Sequence, residues 1–381
     1  MSSNIPPFLQ MIGLQKTEDP WVFEGTSLPL PLGNLRPIAY GGFAIATAIN
    51  AAGQTMPKDG HFVPYSLTGH FLGPASLKTP YVCEVQPVRD TRTFCTRFVT
   101  VKQRSSKGDL RSVLSITLDL INSPDSTKEA LQKAKEAGIE PACKGSLLRY
   151  GASPPWVVEH ANDLLPFDKI SAQLVKSGEI DASVVKMQSD FLDLWNKLFE
   201  MRPVPHSVLF QNSMGMSDQP TTQDKLAITQ RRSFDWMHMN HRLPAVDGSE
   251  GPVPAGPNGT LPVPAVIAHI AVMAFALDGA IAFAPLSLAN KSIFDAEAAS
   301  TLEFAQRFHT DVPDMNQWLL REILPINAGW QRTYSEARLF DHDGHHIATC
   351  SQQCVLRPAD GDVVAEPWPA PKPMPTPASK L

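Results

Sequence analysis

One carboxylate stands out in this chain. Asp278 sits in the run AFALDGA, inside a stretch over 263–289 that carries no other Asp, Glu, Lys or Arg. A charged carboxylate in apolar surroundings is costly unless it is paired or hydrogen-bonded. Burial raises its pKa, which suits it to take a proton from water near neutral pH. The plainer reading is a satisfied polar residue near a helix end, marked by Gly279. His269 lies nine positions before it, about 180° round a helix, so the two face opposite sides and form no dyad.

Other candidates offer less. No GxSxG is present, so a serine nucleophile on a strand-to-helix elbow has no support. His342, His345 and His346 surround an Asp343-Gly344 turn, where solvated polar residues belong; no metal site is expected there. His238 and His241 are an odd number apart on a predicted strand and so face opposite ways. The five cysteines (Cys83, Cys95, Cys143, Cys350, Cys354) are odd in number and form no CxxC pair. That argues against a disulfide scaffold and a structural zinc site. Asn258-Gly259-Thr260 matches a glycosylation sequon, which matters only in the secretory pathway. No glycine-rich phosphate loop appears.

With 381 residues, 43% hydrophobic and 19% charged, the chain has room for two or more domains or one duplicated domain, each with a real core. A formal charge of −5 leaves no basic excess for a nucleic-acid backbone, so no nucleic-acid partner is expected. Residues 1–20 carry prolines and charges in place of a basic start and an apolar core, so no secretory leader is expected. The 263–289 stretch is interrupted by His269, Asp278, Pro264 and Pro285, and Pro262 directly precedes it. A charge at a bilayer centre costs ~3 kcal/mol or more, and the stretch reads as a helix buried in protein, not a membrane span.

The elements around Asp278 come in a repeated order. Gly41-Gly42 opens an alanine-rich run, apolar almost all round, that ends before Pro57 and predicts a helix wrapped by other structure. Strand-like runs follow at 66–72, 81–85, 94–103 and 110–120, the last pair separated by a Lys107-Gly108-Asp109 turn. A helix at 264–284 is then followed by strands near 301–308, 318–324, 330–340 and 346–356, with Asp343-Gly344 marking a hairpin. Phe71 precedes Gly108 by 37 positions and Phe308 precedes Gly344 by 36, which suggests a duplicated unit. Charged helical sequence fills 126–138 and a helical pattern runs through 184–199. Two more strand-like runs, 203–211 and 231–241, should open the second unit. The fold class expected is α+β.

In that order along the chain, Gly41-Gly42, His70-Phe71-Leu72-Gly73-Pro74, Val88-Arg89-Asp90 with Phe94, Phe199-Glu200-Met201-Arg202-Pro203-Val204 and the block 265–358 resemble the acyl-CoA thioesterase II family. The resemblance covers most of 20–358. It implies a double hotdog: two antiparallel sheets, each wrapped around a long central helix. The expected division is an N-terminal hotdog over 1–125, a helical insertion over 126–200, a C-terminal hotdog over 201–358 and a proline-rich tail over 359–381. The activity implied is hydrolysis of fatty acyl-CoA to free acid and CoA, with no cofactor, CoA being part of the substrate. A homo-oligomer is implied as well.

The same resemblance implies a water-activating constellation of Asp278, Thr301 and Gln352, with an oxyanion donor around Gly41-Gly42. There are departures. Leu302-Glu303-Phe304 follows Thr301 where the family carries Asp-His, and Arg307 replaces an aromatic before Phe308. Ser300 and Gln353 flank the assigned residues and would replace them if the register slipped by one. Without the family, Thr301 and Gln352 read as an ordinary strand threonine and a polar edge residue. Two other activities stay open: a same-fold enzyme acting on a specialised acyl or polyketide thioester, and a non-catalytic acyl-CoA binder. The sequence ends Ser379-Lys380-Leu381, the tripeptide read by the peroxisomal import receptor, after a stiff spacer with proline at alternate positions. A peroxisomal matrix protein of a fungal-type source is expected.

Overall fold

The computed structural model of the chain describes residues 7–33, 37–144, 146–217, 219–256, 259–359 and 364–367. Asn258 and the Ser379-Lys380-Leu381 end of the tail lie outside the described residues.

Two helices with no polar face organise everything else. Gly41–Gly53 and Ala265–Leu277 each span thirteen residues; all of the second and all but Gly41 of the first are buried. Alanine supplies helix propensity and a thin cylinder, so the two can lie side by side inside one core. Their contacts run end to opposite end. A Cβ at Gly42 would lie 3.1 Å from the ring of Phe275, and one at Gly53 would lie 2.8 Å from Ile267, so the helices are antiparallel.

A helix apolar all round must be covered all round, and a curved antiparallel sheet does this. Its strands are β1 (Leu14–Lys16), β2 (Val22–Gly25), β3 (Phe62–Phe71), β4 (Val82–Asp90), β5 (Phe94–Arg104), β6 (Leu110–Asn122), β7 (Phe199–Pro203) and β8 (Ser233–Met239). A small separate ribbon, β9 (Val253–Pro254) and β10 (Pro262–Val263), precedes the second helix. The second unit continues with β11 (Ala296–Phe308), β12 (Leu319–Gly329), β13 (Arg332–Phe340) and β14 (His346–Pro358). The order β1-β2-β4-β5-β6-β3-β11-β14-β13-β12-β8-β7 makes one twelve-stranded sheet. The two hotdog sheets join edge to edge where β3 pairs with β11, from Glu303↔His70 to Arg307↔Ser66. Each unit thereby covers the edge that its neighbour would leave open.

Several expectations change in detail. The helix expected over 264–284 ends at Leu277. Asp278 is its C-cap, Ala280 takes a left-handed φ of 71°, and a short helix, Ala284–Leu288, follows the turn. Gly279 marks that stop, but the apolar residues that resume after it extend the helical pattern to 284. The strand expected over 203–211 is β7 ending at Pro203, then a short helix at Val208–Gln211. Pro203 and Pro205 remove amide donors a strand would need. His241 lies beyond the end of β8, so the alternation argument does not apply to it; His238 sits on that strand beside Trp318. The helical sequence between the units forms Lys128–Glu136, Phe167–Ser177, Ala182–Phe191 and Asp193–Leu198. Strands β1 and β2 at the sheet's edge have no counterpart in the sequence reading.

The helix contact gives a signed prediction. Gly→Ala in an exposed helix interior gains about 1 kcal/mol. At Gly53 the new methyl meets Ile267, and overpacking of this kind costs about 1–3 kcal/mol. Gly53→Ala therefore lowers the free energy of unfolding, and its cost shrinks in an Ile267→Ala background, where the Cγ1 and Cγ2 atoms that the new methyl meets at 2.8 and 2.9 Å are gone. A double-mutant cycle by chemical denaturation reads the coupling; additive effects would show that the two helices do not meet there.

Candidate active site

Asp278 ends the second central helix close to where the first begins. The residue is 8% exposed. It accepts the backbone N–H of Gly42 and, at Oδ1, the Gln352 Nε2–H at 2.8 Å. Gly41 is needed here: a Cβ on it would lie 2.6 Å from the Phe71 ring and 3.0 Å from Asp278 Oδ2. Burial pushes the Asp278 carboxyl up to about 7, opposed by the Gln352 and Gly42 donors.

Gln352 lies on β14 and is fully buried. Its Oε1 accepts from Thr301 Oγ1 at 2.9 Å. Thr301 on β11 pairs across the sheet with Cys354, while Gln352 pairs with Phe304, because a bulge at Leu302 adds one residue to β11. That bulge lets Thr301 and Gln352 share the inner face. The three side chains named from sequence thus form one directed chain, Thr301 to Gln352 to Asp278. Ser300 and Gln353 are outside it.

The surroundings fix this group further. Arg321, 5% exposed, donates from Nη1 to the carbonyls of Ala276 and Gly279, at 3.1 and 3.2 Å. Its Nε and Nη2 donate to Asp235 at 3.1 and 2.8 Å, and its guanidinium lies 4.8 Å from the Trp195 ring centre. Arg321 therefore ties down the carbonyls on both sides of Asp278. Tyr40 Oη donates to the Phe275 carbonyl at 2.7 Å. Burial, helped by the nearby Asp278, holds the phenol well above its usual range. The thiols of Cys350 and Cys354 are pushed up by burial, the latter to about 12. Neither is a thiolate at neutral pH, so neither is an activated nucleophile.

Asp278, Thr301 and Gly41 face a cavity of about 740 Å³. It opens because β11 outruns its neighbour: β3 pairs only with 303–307, so 296–302 is an unpartnered strand edge, and all seven of these residues line the cavity with Leu72-Gly73-Pro74-Ala75. The floor is apolar, and Phe167, Leu192 and Trp195 from the segment between the hotdogs contribute to it.

Two further histidines, His269 and His345, lie outside this group. His269 is fully buried; Nε2 lies 2.8 Å from the Pro244 carbonyl and Nδ1 accepts the Met315 N–H at 3.0 Å. That is a neutral ring with both nitrogens used, and burial lowers its pKa. In the β13–β14 turn, Asp341 accepts the backbone N–H groups of Asp343 and His345, and its other oxygen lies 3.0 Å from His345 Nδ1.

Residues 28–121 match the acyl-CoA thioesterase N-terminal domain, and 217–356 match the C-terminal domain, together more than half of the chain. The chain belongs to the acyl-CoA thioesterase family. Among solved structures, a tesB protein of Mycobacterium avium subsp. paratuberculosis is 16% identical, with a TM-score of 0.57 over 92% of this chain and 98% of its own. The acyl-CoA thioesterase II TesB2 of Mycobacterium marinum is also 16% identical, with a TM-score of 0.56 over 93% and 100%. A hot dog fold protein of unknown function from Alicyclobacillus acidocaldarius gives 16%, 0.56, 92% and 97%. No curated protein matches in sequence. The enzyme is an acyl-CoA thioesterase of double hotdog fold, and no helix among the described residues is long and apolar enough to cross a membrane.

Of the Gly41-Gly42 pair named from sequence for the oxyanion, Gly42 gives its amide to the Asp278 carboxylate, while Gly41 lies on the cavity wall. Sequence reasoning missed Arg321, Asp235 and the lining supplied by 167–195, because each reaches the site only through tertiary packing.

The Asp278 carboxyl has a thermodynamic signature. An unfolded aspartate titrates near ~3.9, the folded one at about 7. Between these values the folded thioesterase holds a proton that the unfolded chain has lost, so this group's contribution to stability falls as pH rises from about 4 to about 7. Asp278→Asn removes that slope. The difference in melting temperature, variant minus wild type, should grow from pH 5 to pH 8; parallel curves would show an ordinary carboxyl.

Proposed function

We propose that this thioesterase hydrolyses fatty acyl-CoA with a water held between Asp278 and Thr301. The observation that carries the reading is the direction of the hydrogen-bond chain. Thr301 donates its only hydroxyl proton to Gln352, and Gln352 donates to Asp278 Oδ1. The lone pairs of Thr301 Oγ1 and the second oxygen of Asp278 are then acceptors facing the cavity. A water donating one proton to each presents its own lone pair to a thioester carbonyl carbon. Asp278 takes one proton as the C–O bond forms. The tetrahedral intermediate collapses with loss of the C–S bond, and the departing CoA sulfur takes the proton back from Asp278. The Gly41 amide, at the start of the first central helix and on the cavity wall, is the oxyanion donor in this scheme.

A fatty acyl chain suits the cavity, whose floor is apolar and whose volume lies in the usual range for small-molecule sites. A specialised acyl or polyketide thioester is the second reading, favoured by the share of that floor built from residues between the two hotdogs. A peroxisomal matrix location is proposed on the Ser379-Lys380-Leu381 tripeptide alone, and a homo-oligomer on the family resemblance alone.

Thiol release from a panel of acyl-CoAs tests the mechanism. Asp278→Asn should lower kcat by 10²-fold or more, the scale expected for losing a general base. For wild type, kcat/KM should rise with pH through about 7. Gln352→Ala removes a donor that lowers the Asp278 pKa, so its midpoint moves up. A midpoint that stays fixed or moves down would refute Asp278 as the titrating base. Binding without thiol release would mark a non-catalytic acyl-CoA binder.

A further inference from the structure

A second hollow, of about 140 Å³, adjoins the main cavity. Every side chain lining it is Met, Phe or Ile. Met214, Phe283 and Ile293 line both hollows, whereas Met187 and Met216 line only the smaller. The partition is held in place at some cost. Ser213 and Met214 are consecutive non-glycine residues in left-handed backbone, at φ 52° and 58°. Such conformations persist where surrounding structure over-determines them. Here Asn212, 1% exposed, does so: its Nδ2 donates to the Ser287 carbonyl at 2.7 Å and its Oδ1 accepts the Gly215 N–H at 3.0 Å. The strained pair is thus pinned to the short helix Ala284–Leu288, and a flexible methionine is set between two apolar spaces.

We propose that the smaller hollow receives the methyl end of an acyl chain that outruns the main cavity, with Met214 as the yielding partition that sets chain-length preference. The inference rests on the acyl-CoA reading of the main cavity. Water entering the hollow would find no polar partner, while a dry apolar cavity of comparable size, ~150 Å³, admits a small hydrocarbon. An alkyl chain already lying in the main cavity meets this space through three shared side chains. Methionine, unbranched and polarisable, can move aside without leaving a void.

The test is the chain-length profile of kcat/KM on the full-length enzyme, from butyryl- to stearoyl-CoA. Met214→Gly removes the partition at a position whose backbone glycine prefers, and should move the optimum to longer chains. Met216→Trp fills the hollow from a residue that does not line the main cavity. It should raise KM for the longest chains, by about fourfold for each methylene excluded, and leave butyryl-CoA turnover unchanged. A profile that either variant leaves unmoved, or shifts equally at all lengths, overturns the proposal. If wild type released no thiol, the hydrolytic reading would fall first. Calorimetric binding of the same acyl-CoAs to wild type and both variants would then still decide the hollow's occupant.

Discussion

A helix buried on every side has no solvent for its terminal backbone groups, and that constraint shapes this molecule. The last carbonyls and first amides of such a helix need partners from within the fold. Each unit supplies a buried arginine. Arg97, 1% exposed, donates to the carbonyl and hydroxyl of Thr55 just past the first helix and pairs with Asp90 at 2.8 Å. Arg321 does the same for Ala276 and Gly279 and pairs with Asp235. At the junction of the helices, the amide end of the first is met by the carboxylate at the end of the second. Asp278 therefore belongs to the architecture as well as to the site.

That dual role explains its intermediate acidity. Full burial alone would keep a carboxyl protonated well past neutrality, and a carboxylate facing several donors would titrate low. Asp278 has both burial and two donors, Gly42 and Gln352, and comes to rest at about 7. Its neighbours contribute no compensating charge: Arg321 is neutralised by Asp235, and the thiols of Cys350 and Cys354 stay protonated. The setting is a carboxyl tuned by burial and hydrogen bonds without an ion pair.

Much of this was legible in the sequence because it follows from local physics. Two alanine-rich apolar runs can only be core helices, alternating runs after each can only cover them, and a lone carboxylate in such a run needs a reason. Thr301 and Gln352 were legible only through family resemblance, since no local pattern separates a strand threonine that faces a cavity from one that does not. The stop of the second helix at Leu277 was signalled only by Asp278-Gly279, and alanine and phenylalanine that continue past it masked the signal. The seam of β3 with β11 was hidden because edge pairing between units leaves no periodic trace. Arg321 and Asp235 are 86 residues apart, and such a pairing exists only once the sheet is closed.

The duplication is therefore a division of labour between unlike halves. Where the second helix ends in Asp278, the first ends at Gly53 with Gln54 as its cap. The Gln54 amide is committed to Asn50 and to the Pro262 carbonyl, at 3.0 Å each. The first unit has no carboxylate at that point; Arg97 and Asp90 satisfy one another instead. What the first unit supplies is an amide terminus, Gly41-Gly42, opened by glycines so that the backbone approaches Asp278. The second unit supplies the carboxylate, threonine and glutamine, and an overhanging strand edge that opens the cavity. Neither half holds a complete site. The antiparallel packing of the two helices, which brings the start of one against the end of the other, is what assembles it.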